Sequence, residues 1–139
     1  MRITLILALL VLNYSLINGQ EKTGPSITVE VNNASNDEGQ IMFGLYTQET
    51  FMKAPPVKST ESAIKDGKVV VVFEDVAPGS YSILCYHDEN NNQQMDFESN
   101  GMPKEQYGSS NNIMAIGPPS WEDTKFELGS DPIQLEIRL

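Results

Sequence analysis

Apolar side chains recur at every second position through most of this chain. Residues 26–31 place Ile27, Val29 and Val31 on one face, and 40–47 do the same with Ile41, Phe43 and Leu45. A period of two marks a strand with one face buried. Residues 68–73 form a Val-dense third strand. Residues 80–87 form a fourth, with Tyr81, Ile83 and Cys85 on one face and Leu84 and Tyr86 on the other, so that it reads as covered on both sides. Residues 124–128 and 133–139 end the series, the last with Ile133, Leu135, Ile137 and Leu139 aligned. Shorter extended pieces are expected at 62–64 and 113–116. The spacers are rich in Asn, Asp, Ser, Gly and Pro, among them 32–39, 48–66 and the long polar stretch 88–112. Past the N-terminus, no run of about 12 residues carries a helical period. The pattern predicts an all-β fold: an antiparallel β-sandwich, immunoglobulin-like or transthyretin-like, with one long polar loop.

The N-terminus departs from this pattern. Arg2 precedes a run from Ile3 to Leu12 that is apolar apart from Thr4, and Asn18-Gly19-Gln20 follow. This is the layout of a secretory signal peptide, and Asn13 stops the run short of the ~20 apolar residues that span a bilayer. Cleavage after Gly19 is expected, leaving one domain, residues 20–139, periplasmic or secreted. The chain has 19 Asp+Glu against 9 Lys+Arg and a net charge of −10. Losing residues 1–19 removes Arg2 and no acid, so the charge becomes −11. That sign argues against nucleic acid as a partner, because phosphate binding needs clustered Lys and Arg. No second apolar stretch approaches membrane length, and a monomer is expected. A single Cys rules out an internal disulfide, and the strand pattern around Cys85 predicts a buried, inert thiol.

One turn carries specific information about the fold. In Glu74-Asp75-Val76-Ala77-Pro78-Gly79-Ser80-Tyr81, Pro78 fixes φ and Gly79 is free to take positive φ. Tyr81 then enters a strand with its ring inward and its hydroxyl within reach of the turn backbone, as in a tyrosine corner. The run Phe-x-x-Val-x-Pro-Gly-x-Tyr resembles one found in transthyretin-like and carboxypeptidase-regulatory-like domains. That resemblance bears on fold and not on chemistry.

The polar stretch is where chemistry is expected. Counting Asp88 as position 1, oxygen-bearing side chains stand at positions 1, 3, 5 and 9 (Asp88, Asn90, Asn92, Asp96), and the Gln94 carbonyl falls at position 7. This is the spacing of a calcium loop. Calcium takes six to eight oxygens at about 2.3–2.6 Å, and a short chain with alternate oxygen side chains can wrap it. Gln93 stands where Gly usually permits the sharp turn, and Ser99 where a bidentate Glu is usual. The missing carboxylate is therefore expected from Glu98 or Glu105. With no flanking helices, the loop would be grafted between strands. So few anionic ligands predict weak Ca2+ binding, on the order of 10⁻⁴–10⁻³ M. Zinc does not suit the site, since the soft donors are only His87 and Cys85.

Taken together, Pro78-Gly79-Ser80-Tyr81, His87-Asp88-Glu89-Asn90-Asn91-Asn92, Met95-Asp96, Gly101-Met102-Pro103-Lys104-Glu105-Gln106-Tyr107-Gly108 and Asn111-Asn112 resemble an exported bacterial family known as domain of unknown function 2141. The resemblance runs from about Ile27 to Leu139 and implies export and a β-rich fold, with no established activity. Gln93 and Gln106 stand where that family usually has Gly.

Catalysis would have to use His87 with Asp88, Asp96, Glu98 or Glu105. A Gly-x-Ser-x-Gly elbow and a zinc motif are both missing. The expected function is therefore a non-enzymatic binding or accessory module of the cell envelope, with an envelope protein or a glycan as partner. The alternatives are a carbohydrate-binding module, through Tyr107 and Trp121, and a small hydrolase built on His87.

Overall fold

The computed structural model describes residues 24–114 and 116–139. The signal peptide expected at 1–19 lies outside them. Eight strands form among the described residues: β1 (Ile27–Val31), β2 (Gln40–Tyr46), β3 (Lys58–Ala63), β4 (Val69–Phe73), β5 (Gly79–Asp88), β6 (Tyr107–Ser109), β7 (Phe126–Leu128) and β8 (Ile133–Ile137). A one-turn helix, α1 (Trp121–Thr124), and a 3-10 turn at Ser110–Asn112 complete the regular structure. No described helix is long and apolar enough to cross a membrane.

The strands make a three-stranded sheet, β4-β1-β8, and a five-stranded sheet, β3-β2-β5-β6, in which β7 also pairs with β5. Alternation explains why they pack. Ile27, Val29, Val31, Val69, Val71, Phe73 and Ile137 from the small sheet join Ile41, Phe43, Leu45, Ile83, Cys85 and Leu128 from the large one in a single buried cluster. The all-β sandwich read from the pattern is therefore present. One pairing differs from the expected antiparallel order, because β8 runs parallel to β1, with Ile27 opposite Ile133 and Val31 opposite Ile137. The chain first returns to β1 with β4, and β8 takes the other side of β1 only after the large sheet is complete.

Four further details correct the reading from sequence. The edge piece expected at 62–64 is a longer strand, β3, whose side chains are mostly exposed. Strand β6 lies inside the stretch read as loop. Ile113, Met114 and Ile116 are not extended strand. Thr124 ends α1, so the following strand starts only at Phe126.

The turn before β5 uses the expected corner. Tyr81 Oη donates to the Ala77 carbonyl at 2.6 Å, with its ring buried. The residue at positive φ is Asp75 (φ 53) and not Gly79. Tyr81→Phe should lower stability by about 1 kcal/mol, the net worth of one such hydrogen bond, measured as a shift in the urea midpoint with an unchanged slope. Cys85 is buried as expected. Burial pushes its thiol up to about 12, which keeps it protonated and unreactive.

Candidate metal loop

The outer face of β5 carries Leu84, Tyr86 and, as its last residue, Asp88. The loop that follows folds back onto this Asp. Asp88 Oδ1 accepts the backbone N–H of Asn92 at 3.2 Å, and Oδ2 accepts that of Gln93 at 2.9 Å. Asn90 and Asn92 form successive Asx turns, their Oδ1 atoms accepting Asn92 N–H at 3.2 Å and Gln94 N–H at 3.0 Å. Both amides also donate to Asp96, Asn90 Nδ2 at 2.7 Å and Asn92 Nδ2 at 2.8 Å. The return limb is closed by Asp96 N–H to Glu105 Oε2 at 3.2 Å and Lys104 N–H to the Asp96 carbonyl at 2.8 Å. His87 N–H to the Gln106 carbonyl at 2.8 Å then leads into β6.

These bonds draw Asp88, Asn90, Asn92, Asp96 and Glu105 into one cluster. Gln94 is exposed at the tip and held through its own N–H. Glu98 stands outside, exposed at a turn where its N–H bonds the Met102 carbonyl at 2.7 Å. The sequence left Glu98 and Glu105 as alternatives; the Phe97–Pro103 bridge carries the chain back toward Asp96, which brings Glu105 into the cluster and leaves Glu98 outside it. The sharp turn expected to need Gly is made by Gln93 itself, at φ 60, with Asn91 at φ 54. Left-handed backbone costs an L-residue about 1 kcal/mol or more. Gln93→Gly should therefore stabilise the chain by roughly 1 kcal/mol, seen as a higher melting temperature in chelator.

Electrostatics single out the base of the loop. Asp88 is 0% and Glu105 8% exposed. Burial raises the Glu105 carboxyl above its usual range; the Asp96 and Asp88 carboxylates add to this, while the N–H groups of Asp96 and Glu89 oppose it. Burial, with Asp88 and Glu105 nearby, pushes the Tyr86 phenol up to about 12. Among the described residues, no Lys or Arg forms an ion pair with Asp88, Asp96 or Glu105. Nor do three His, Cys, Asp or Glu side chains converge on a common metal position. A cation here would therefore need the Asn90 and Asn92 oxygens as well, with both amides turned to present Oδ1. The donor set is all oxygen, which fits calcium and not zinc.

The other candidates lie elsewhere. His87 points to the core side of β5, fully buried, and its Nε2–H donates to the Glu38 carbonyl at 2.6 Å. Its Nδ1 has no hydrogen-bond partner and lies 3.9 Å from Glu89 Oε1. Trp121 is half-buried, 5.8 Å edge-on from Phe51, which in turn meets Tyr46. Tyr107 is exposed on β6. Gly39, read from the sequence only as the end of the spacer 32–39, takes φ 66 and packs so closely that a Cβ there would meet the Asp88 carbonyl and the Glu89 backbone.

Residues 29–136 match the family described as "Uncharacterized protein conserved in bacteria", DUF2141. The chain belongs to this family. The DUF2141 match begins inside β1 and ends inside β8, so it takes in both sheets and the whole loop. No curated protein and no solved structure matches the chain.

Proposed function

We propose that this DUF2141 chain is an exported, non-enzymatic binding module of the cell envelope whose loop, residues 88–105, holds a calcium ion. The reading rests on one observation: Asp88 is fully buried near Asp96 and Glu105, and no cationic side chain among the described residues pairs with them. Buried carboxylates are normally paired or bound to a metal. The ligands are Asp88, Asn90, Asn92, Asp96 and Glu105, with the Gln94 carbonyl. Bound there, calcium would supply charge neutralisation and a fixed loop, and no chemistry at a substrate. Binding rather than catalysis is favoured by His87, which lies buried with Nε2 committed to the Glu38 carbonyl. Export is favoured by the pattern of residues 1–19, and the partner is an envelope protein or a glycan.

Thermal melts of the chain lacking residues 1–19 test the metal. At about 1 mM calcium and a dissociation constant near ~0.1 mM, linkage adds about 1.4 kcal/mol. For a domain of this size that is a rise of roughly 5 °C. Magnesium, which demands tighter octahedral geometry, should give much less. A melting curve unmoved at ~10 mM calcium would reduce the loop to a hydrogen-bonded turn.

A further inference from the structure

The outer face of the five-stranded sheet is covered at its two ends and open between them. At one end Ser82 Oγ meets Thr124 Oγ1 of α1 at 2.7 Å. At the other, Asp88 lies beneath the polar loop. Between them the sheet presents Met42, Gly44 and Tyr46 from β2 beside Leu84 and Tyr86 from β5, in register as Met42 with Tyr86 and Gly44 with Leu84. An outward sheet face normally carries polar side chains; this one is apolar and aromatic. The loop lays Met95, Phe97, Met102 and Pro103 along one side, and Met52 and Pro118 contribute to the lining elsewhere. The result is a cleft of about 720 Å³ whose lining, among the described residues, carries no charged side chain.

We infer that this cleft is a binding site for one uncharged, lipophilic small molecule. Its volume falls within the ~300–1,000 Å³ of small-molecule sites, and its walls have their usual apolar and aromatic character. Phe97 and Met102 at the mouth are 56% and 61% exposed, large apolar groups left open among the described residues. Four methionines in the lining give an adaptable surface that favours an aromatic or unsaturated skeleton. Charge selects against anions: among the described residues the lining offers no Lys or Arg, and the Asp88, Asp96 and Glu105 carboxylates act on Tyr86 at one end. A fatty acid or an anionic lipid headgroup would be repelled. The polar contacts on offer are hydroxyls, those of Tyr46, Tyr86, Tyr107 and Ser59, which suit an alcohol or a carbonyl. The floor is a sheet face and not an edge, so it offers no backbone pairing to a peptide strand. The apolar lining does not depend on a cation in the loop, but calcium there would weaken the repulsion of anions, so laurate is compared with dodecanol in chelator.

The test uses the uncharged fluorophore N-phenyl-1-naphthylamine with the chain lacking residues 1–19, in chelator and in calcium. One saturable site is expected, with the probe displaced by 1-dodecanol and not by laurate, which has the same chain length but carries a charge. Leu84→Trp, which fills the floor, should weaken the probe by roughly tenfold or more. Met102→Asp, at the exposed mouth and without consequence for folding, should do the same. The proposal is overturned by absence of saturable binding in both buffers, by affinity unchanged in both variants, or by laurate competing in chelator as well as dodecanol does. It is equally overturned if the chain sediments as a dimer that Met102→Asp dissociates, since the cleft would then hold a second copy. A calcium-independent probe site leaves the metal reading untouched, and a calcium response without probe binding leaves only the metal reading standing.

Discussion

Asp88→Ala should destabilise the chain by roughly 2–4 kcal/mol and abolish its response to calcium. The Asp88 carboxylate accepts the N–H groups of Asn92 and Gln93 from a fully buried position. Bonds to a charged acceptor are worth about 1.5–3 kcal/mol each, and water entering the opened loop recovers part of that. Asp88→Asn separates structure from metal. It keeps one of the two acceptor oxygens and relieves the repulsion with Glu105, so in chelator it should cost less than Asp88→Ala, about 1–2 kcal/mol from the one N–H that loses its oxygen. It should still lose the calcium-induced rise in melting temperature. Glu98→Gln should leave that rise intact, because Glu98 lies outside the cluster.

Gly39→Ala is expected to be as damaging, for steric reasons. Gly39 sits at φ 66, and a Cβ there would stand 2.0 Å from the Asp88 carbonyl oxygen and 2.8 Å from the Glu89 Cα. Those atoms are backbone and cannot swing aside, so the end of β5 that carries the loop has to move. The left-handed conformation alone costs about 1 kcal/mol or more, and the collision should bring the total above ~3 kcal/mol, a fall of about 10 °C in melting temperature. Gly101→Ala is the control. Gly101 also has positive φ, at 84, but nothing lies within 4 Å of its Cβ position, so the change should cost only about 1 kcal/mol. Equal losses at the two glycines would show that the contact with Asp88 is unimportant.

Much of the fold could be read from the chain because burial alternates within each main strand. Ile27-Val29-Val31 and Ile41-Phe43-Leu45 are buried at every second residue. What escaped reading lacks a local signal. Strand β3, Lys58–Ala63, lies at a sheet edge with mostly exposed side chains, so it shows no apolar period. Strand β6 depends on Gly108, where a Cβ would come within 2.4 Å of the Arg138 carbonyl oxygen, a contact with the far end of the chain. The parallel direction of β8 is a property of topology, and alternation is blind to it. Helix α1 did carry a sign, Ser120 three residues before Asp123, and Ser120 Oγ accepts the Asp123 N–H at 3.2 Å. Four residues are too few for a period to show.

The candidate loop divides in the same way. The alternate spacing of Asp88, Asn90 and Asn92 gives the Asx turns directly. The choice of Glu105 over Glu98 needs the return of the chain at Phe97 and Pro103. The apolar cleft was only half visible, as Leu84 and Tyr86 on the second face of β5. Its walls come from segments distant in sequence.

If the oxygens of residues 88–105 share one cation, terbium, a calcium-sized luminescent ion, should bind in its place. Tyr86, beside the cluster on the outer face of β5, is the antenna. Excitation of tyrosine should give terbium emission that saturates at one ion per chain. Calcium should reverse that emission, and Asp88→Asn should abolish it. Emission that is absent, or that persists unchanged in Asp88→Asn, would mean that these oxygens hold no common ion.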